Sequence, residues 1–222
     1  MCIRDSFWRG TAIDIDTRLR VARAIGKNEE EVAVVMMSQI RDRYNPIEPP
    51  AISSDGNDSY PEAMLEIWGK LPEYIGRGRP PTHKQPQPRW KCLQVIKHRS
   101  GSRLIGITHK VVYGDPSEVP DFMGLNTAYV ERTNLTSRQM NGRMVRKTLS
   151  FSKEEEMLRA SCALEDVVYN LARPLKSLRV EVNNDQRRWE PRSPAMAAGI
   201  TDHIWTIGEI MMMLAVPERN NA

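Results

Sequence analysis

Between Phe7 and Gly69 the side-chain pattern changes period three times, and that order restricts the chain to few architectures. Phe7–Ile15 alternates, with Ala12 and Asp14 on one face and Ile13 and Ile15 on the other, which predicts a strand. Asp16-Thr17 predicts a turn, and Leu19–Ile25 predicts a second strand closed by Gly26. The apolar spacing then becomes helical. Asn28 can cap a helix to Tyr44, Glu29, Glu30 and Glu31 suit its positive end, and Val32, Val35, Met36 and Ile40 form its apolar stripe. Pro46, Pro49 and Pro50 end it. Ala51–Ser54 predicts a short buried strand running into Asp55-Gly56. Ser59, as cap, and Pro61 open a helix through Trp68 to Gly69. Strand, strand, helix, strand, helix is an α/β order.

A two-stranded hairpin alone is marginal in water, so the front of the chain wants a further partner strand. The opening Met-Cys-Ile-Arg-Asp-Ser resembles a translated assembly artefact, and the chain reads as an N-terminally truncated piece. Lys70–Arg89 is linker-like. Six glycines and prolines (Gly76, Gly78, Pro80, Pro81, Pro86, Pro88) stand among Arg77, Arg79, Lys84 and Arg89. Trp90–His98 and Arg103–Tyr113 predict a hairpin turned at Ser100-Gly101. Short helices are expected at 116–123 and 207–214, and long ones over 131–147 and 152–169.

Composition removes several classes. Lys and Arg number 32 against 28 Asp and Glu, a net charge of +4 that permits a nucleic-acid partner without demanding one. Ile210–Val216 is about a third of the roughly 20 apolar residues a membrane span needs. Arg4, Asp5 and Arg9 interrupt any secretory core at the start. Cys2, Cys92 and Cys162 lie far apart and form no disulfide framework or Cys-x-x-Cys knuckle, which fits a reducing cytoplasm. His83, His98, His109 and His203 show no metal spacing, and there is no Gly-rich phosphate loop.

Three places remain for chemistry. Asp55 follows a strand and precedes Gly56, where a carboxylate points into a crevice at a sheet edge. The same residues also read as an Asp-Gly turn capping the next helix, and on residue pattern alone that plainer reading stands first. Glu131 begins a helix that sets Glu131, Asn134, Leu135 and Arg138 on one face, and it also suits the helix N-terminus. Arg138, Arg143, Arg146 and Lys147 form a basic run suited to DNA phosphates, or else a solvated helix face.

The stretch 129–153, Tyr-Val-Glu-Arg-Thr-Asn-Leu-Thr-Ser-Arg-Gln-Met-Asn-Gly-Arg-Met-Val-Arg-Lys-Thr-Leu-Ser-Phe-Ser-Lys, resembles the C-terminal motif of bacterial insertion-sequence transposases, closest to the family named after insertion sequence one. Ala12–Leu19 resembles the second-strand hairpin of their core, and Ser54-Asp55-Gly56 the segment carrying their second acid. Tyr169-Asn170-Leu171-Ala172-Arg173-Pro174 is similar to an element that continues with His, where this chain has Leu175. Pro194–Ile200 resembles their C-terminal segment.

The resemblance implies an RNase H-like mixed sheet flanked by helices, over residues 1–170. A Pro-rich linker and hairpin are inserted at about 70–114, and 171–222 is a helical tail. It implies that Asp55 and Glu131 are the second and third acids of a DDE set holding Mg²⁺ or Mn²⁺, for cleavage and strand transfer on double-stranded DNA. The first acid, on the first strand, is expected to be absent, with Asp14 and Asp16 the nearest substitutes. The fragment is then expected to be inactive, and Asp14 serves only if it faces Asp55. A homo-oligomer on DNA and a nucleoid-associated, cytoplasmic setting are also implied. The alternative is a non-enzymatic DNA-binding relic with an incomplete metal site.

Overall fold

The structure is a computed structural model and describes residues 2, 3, 7–76, 78–118, 127–145, 148–182 and 187–213. It is a mixed α/β protein with small open sheets, and the chain divides into two compact units. The first comprises Met1–Ala12 and Val21–Thr136, the second Ile13–Arg20 and Ser137–Ala222.

In the first unit, β1 (Cys2–Ile3), β2 (Phe7–Ile13) and β3 (Arg20–Gly26) form one three-stranded sheet. Helix α1 (Glu29–Arg43) follows, and the Asn28 side chain caps it by accepting the Glu31 N–H at 2.7 Å. Its buried residues are Val32, Ala33, Met36, Met37 and Ile40. Val35, expected in the stripe, is exposed. The reason is that α1 packs on two sides, toward β2 and against α2 (Ser59–Trp68), so the buried arc shifts to Ala33 and Met37. The close approach to β2 needs Gly10, where a Cβ would lie 2.6 Å from Val32 Cγ1. Ala22, Ala24, Met64, Trp68, Trp90 and Cys92 complete this core. Ser59 is the first residue of α2 rather than its cap; Asp58 holds that position, and Asn57 Oδ1 accepts the Ser59 N–H at 2.9 Å.

A second three-stranded sheet carries β4 (Ile52–Asp55), β5 (Cys92–Ser100) and β6 (Arg103–Tyr113) in that order. β4 runs parallel to β5, with Asp55 opposite Val95, and β5 and β6 form an antiparallel hairpin. β4 is half-buried rather than buried, and it ends on an exposed Asp55. Gly101, at φ 58°, makes the hairpin turn. Where a single mixed sheet was expected there are two, with no described strand joining them. Among the described residues of 70–89 the one regular pairing is an isolated bridge, Lys70 with Gln85, as proline density predicts. Pro116–Glu118 is a 3₁₀ turn, and the rest of the helix expected at 116–123 lies outside the described residues.

Helix α3 (Ala128–Met140) is shorter than the helix expected over 131–147. Asn141 leaves helical geometry at φ −124°, ψ 105°, and its side chain accepts the Arg143 N–H, capping a 3₁₀ turn at Gly142–Met144. In the second unit, α4 (Glu155–Val167) starts three residues later than expected and continues as a π-helical turn, Val168–Ala172. A two-stranded ribbon, β7 (Val180–Glu181) with β8 (Trp189–Glu190), precedes α5 (Pro194–Ala197) and α6 (Ile207–Met213). Cys92 and Cys162 are both buried, one in each unit.

Candidate functional site

In the first unit, β4 and β5 deliver residues to one sheet edge. Partners across a parallel register share a face, and alternate residues of a strand return to it. Asp55 therefore shares its face with Val95 and with Lys97 one step outward on β5. The Lys97 ammonium is bonded to the Glu131 carboxylate, which also accepts the Thr127 hydroxyl at 3.1 Å. Glu131 sits in the first turn of α3. Asp55 thus shares a face of the sheet with Lys97, and Lys97 in turn binds Glu131 of α3. Both acids are exposed, Glu131 by 54% at its side chain.

Other carboxylates crowd the loop after β4. Asp55 Oδ1 accepts the Asn57 N–H at 3.3 Å, and the Asn57 amide donates to Glu29. Gln94 Nε2 donates to Asp58 Oδ1 at 3.1 Å, and Lys110 approaches Asp58 at 3.7 Å. Glu29 stood out in the sequence only as a helix-dipole residue, because its place beside the β4 loop depends on how α1 packs.

Burial first, then the negative charges of Asp55 and Glu29, push the Tyr60 hydroxyl up to about 12. Burial alone does the same for the Cys92 thiol. The folded state therefore keeps Tyr60 protonated where an unfolded tyrosine ionises near 10. Its contribution is fully present below pH 10 and is lost as pH rises through about 12, worth about 3 kcal/mol. Cys92 adds a decline that starts from pH 9. Tyr60→Phe is expected to flatten the pH 10–12 part of a urea-midpoint profile; an unchanged slope there would refute the burial of this hydroxyl.

Asp14 does not carry a free carboxylate. It accepts the Thr17 N–H at 3.1 Å and the Thr17 hydroxyl, so it fixes the β2–β3 connection. Asp16 donates its N–H to the same carboxylate at 3.5 Å. Of the basic run, only Arg138 is on α3, and it is half-buried. Arg143 lies in the 3₁₀ turn, half-buried, with Nη1 donating to Ser152 Oγ at 2.9 Å. Arg146 and Lys147 lie outside the described residues.

In the second unit, Arg20 makes a buried ion pair that the sequence did not announce. Its Nη1 lies 2.6 Å from Glu165 and 2.7 Å from Asp166, its Nη2 donates to Ser137 at 3.0 Å, and its guanidinium stacks 4.0 Å from the Tyr169 ring centre. Asn170 brackets the Arg20 backbone, accepting its N–H at 3.0 Å and donating to its carbonyl at 3.1 Å. Asn141 donates to Ser161 at 2.9 Å and to Glu165 at 3.4 Å. Several residues of the stretches 129–153 and 169–174 thus serve as a latch on Arg20 and Glu165. Beside it is an open cavity of about 570 Å³ lined by Asn141, Arg143, Phe151, Ser161 and Glu165, among others.

Oxygen-only donors suit Mg²⁺ or Mn²⁺ in kind, and Mg²⁺ accepts one or two carboxylates with waters. In number the donors fall short, since the described residues include no group of three or more His, Cys, Asp or Glu that could hold a metal. Among the described residues, no helix is long and apolar enough to cross a membrane. No protein-family profile, curated protein or solved structure matches this chain.

Proposed function

We propose that the chain is the catalytic core of a DNA transposase of RNase H-like fold, with Asp55 and Glu131 as two of its metal-binding carboxylates. The observation that supports it most is that Asp55 and Lys97 share a face of the β4–β5–β6 sheet, and that Lys97 binds Glu131. Bound Mg²⁺ or Mn²⁺ would activate a water or DNA 3′ hydroxyl and stabilise the leaving oxygen. Asp55 and Glu131 would hold the ion. Lys97 neutralises Glu131 in its absence and must yield that oxygen. This exchange costs little, because an ion pair this exposed is worth about 0–1 kcal/mol. Double-stranded DNA is the partner, bound in part by phosphate contacts from Arg138 and Arg143, and a homo-oligomer would pair two DNA ends.

A second reading is a DNA-binding relic without catalysis, and it draws support from the described residues holding no group of three or more metal-ligating side chains. One assay separates them. The chain, and any longer in-frame product containing it, is incubated with Mg²⁺ or Mn²⁺, a nicked donor-end duplex and a labelled target duplex. The expected result is metal-dependent joining of donor 3′ ends to target by the longer product and none by the chain alone. Duplex binding with no joining by either protein would leave the relic.

A further inference from the structure

The positive charge of this chain is concentrated in one stretch. Residues 74–114 hold nine of the 32 Lys and Arg residues and none of the 28 Asp and Glu residues. The remainder has 23 cationic residues against 28 acidic ones, so outside this stretch the chain is net acidic. Three of the four histidines are in it as well.

The β5–β6 hairpin makes up the second half of that stretch. β4 pairs with it only as far as Val95, so from Ile96 outward it is a ribbon of two strands among the described residues. From His98 to Lys110 every residue except Gly106 is exposed. At the base of the ribbon, Lys97 is paired with Glu131, and Lys110 is near Asp58. At the tip, Arg99 and Arg103 flank the Ser100–Ser102 turn and form no ion pair among the described residues. Leu104, Ile105 and Ile107 are exposed by 44, 64 and 50% on β6.

We propose that the outer β5–β6 ribbon is a duplex-DNA contact that enters the major groove, with Arg99 and Arg103 on the flanking phosphates. The B-form major groove, about 12 Å wide, admits a two-stranded ribbon whose strands lie roughly 4.8 Å apart. Guanidinium forks bind phosphate oxygens in pairs. The register shift at His98/Arg99 inserts an extra residue on β6, and such a bulge raises local twist. A twisted ribbon follows the turn of a groove better than a flat one. The apolar residues on β6 then have a partner in thymine methyl groups. Like charge opposes a second copy as occupant, since two such ribbons would set arginine against arginine. The deep, narrow major groove of A-form RNA does not admit the ribbon.

The proposal takes its partner class from the transposase reading but rests on residues that reading does not use. The test is fluorescence anisotropy of the full chain with a 30-base-pair duplex over a series of salt concentrations. Each phosphate contact contributes about 0.9 to the slope of log K against log salt, so Arg99→Ala with Arg103→Ala should reduce the slope by about 1.8. At 0.1 M salt the affinity should fall on the order of 50-fold. Arg99→Lys with Arg103→Lys should keep most of the slope, and circular dichroism should report an intact fold in every variant. An unchanged slope in the alanine pair overturns the proposal. So does tighter binding to an RNA duplex of the same sequence, or self-association that depends on Leu104 and Ile105 while DNA affinity does not. The joining assay is scored separately. A ribbon that binds without joining defeats the transposase reading alone, and joining with an unaffected slope defeats the ribbon alone.

Discussion

Arg20→Met is expected to destabilise the second unit by about 3–5 kcal/mol. Glu165 is almost fully buried beside Arg20 and would be left with an uncompensated charge, while Asp166 retains some access to water. Tyr169 would lose a stacked cation, worth about 1–2 kcal/mol when desolvated, and Ser137 a donor. Amide exchange over residues 155–172, read at increasing urea, would locate the loss. Asp166→Asn should cost less, because the Arg20–Glu165 pair persists. Adding Glu165→Leu to Arg20→Met should recover much of the loss, since an apolar pair of similar volume replaces a buried ion pair at little cost. A cost below about 1 kcal/mol for Arg20→Met would show that Arg20 is hydrated rather than locked in.

In a longer product that joins DNA, Asp55→Asn and Glu131→Gln should each lower the rate of metal-dependent joining by a thousandfold or more, while duplex affinity changes less than about twofold. The size follows from several kcal/mol of charge stabilisation at roughly 1.4 kcal/mol per decade. Lys97→Met is the informative companion. It releases Glu131, so the Mn²⁺ concentration giving half-maximal activity should fall. A rise instead would mean that Lys97 orients Glu131 for the ion rather than competing with it. Equal rates for Asp55→Asn and the unsubstituted protein would remove Asp55 from the chemistry.

The local devices of the fold were readable in the residues. Asn28 followed by three glutamates fixes the start of α1, Ser-Gly fixes the β5–β6 turn, and proline density keeps 70–89 irregular. What stayed hidden depends on distant partners. Arg20 meets Ser137, Glu165 and Asp166 across 117, 145 and 146 residues, and nothing in the β3 pattern marks it as a buried ion. The end of α3 was missed for a similar reason. Asn141-Gly142 carries a local stop signal, but the basic residues around it continue a helical spacing, and the Asn141 amide is committed to Ser161 and Glu165 in another helix. For the candidate site, Asp55 and Glu131 were visible as residues, while the place of Lys97 on the Asp55 face required the β4–β5 register. A net charge of +4 for the whole chain likewise conceals the segregation of its charges.

The two buried thiols give each unit its own clock. Cys92 lies on β5 in the first unit and Cys162 on α4 in the second, where its sulfur is 3.8 Å from Met144 Sδ. A soluble thiol reagent reaches either sulfur only when its surroundings open, and opening free energies differ between cooperative regions of one chain. With Cys2 replaced by serine, modification rates at the two sites would time the opening of each unit without any added probe. Arg20→Met would then accelerate labelling of Cys162 and leave Cys92 at its original pace if the units open independently. Matched acceleration at both would mean that they open as one.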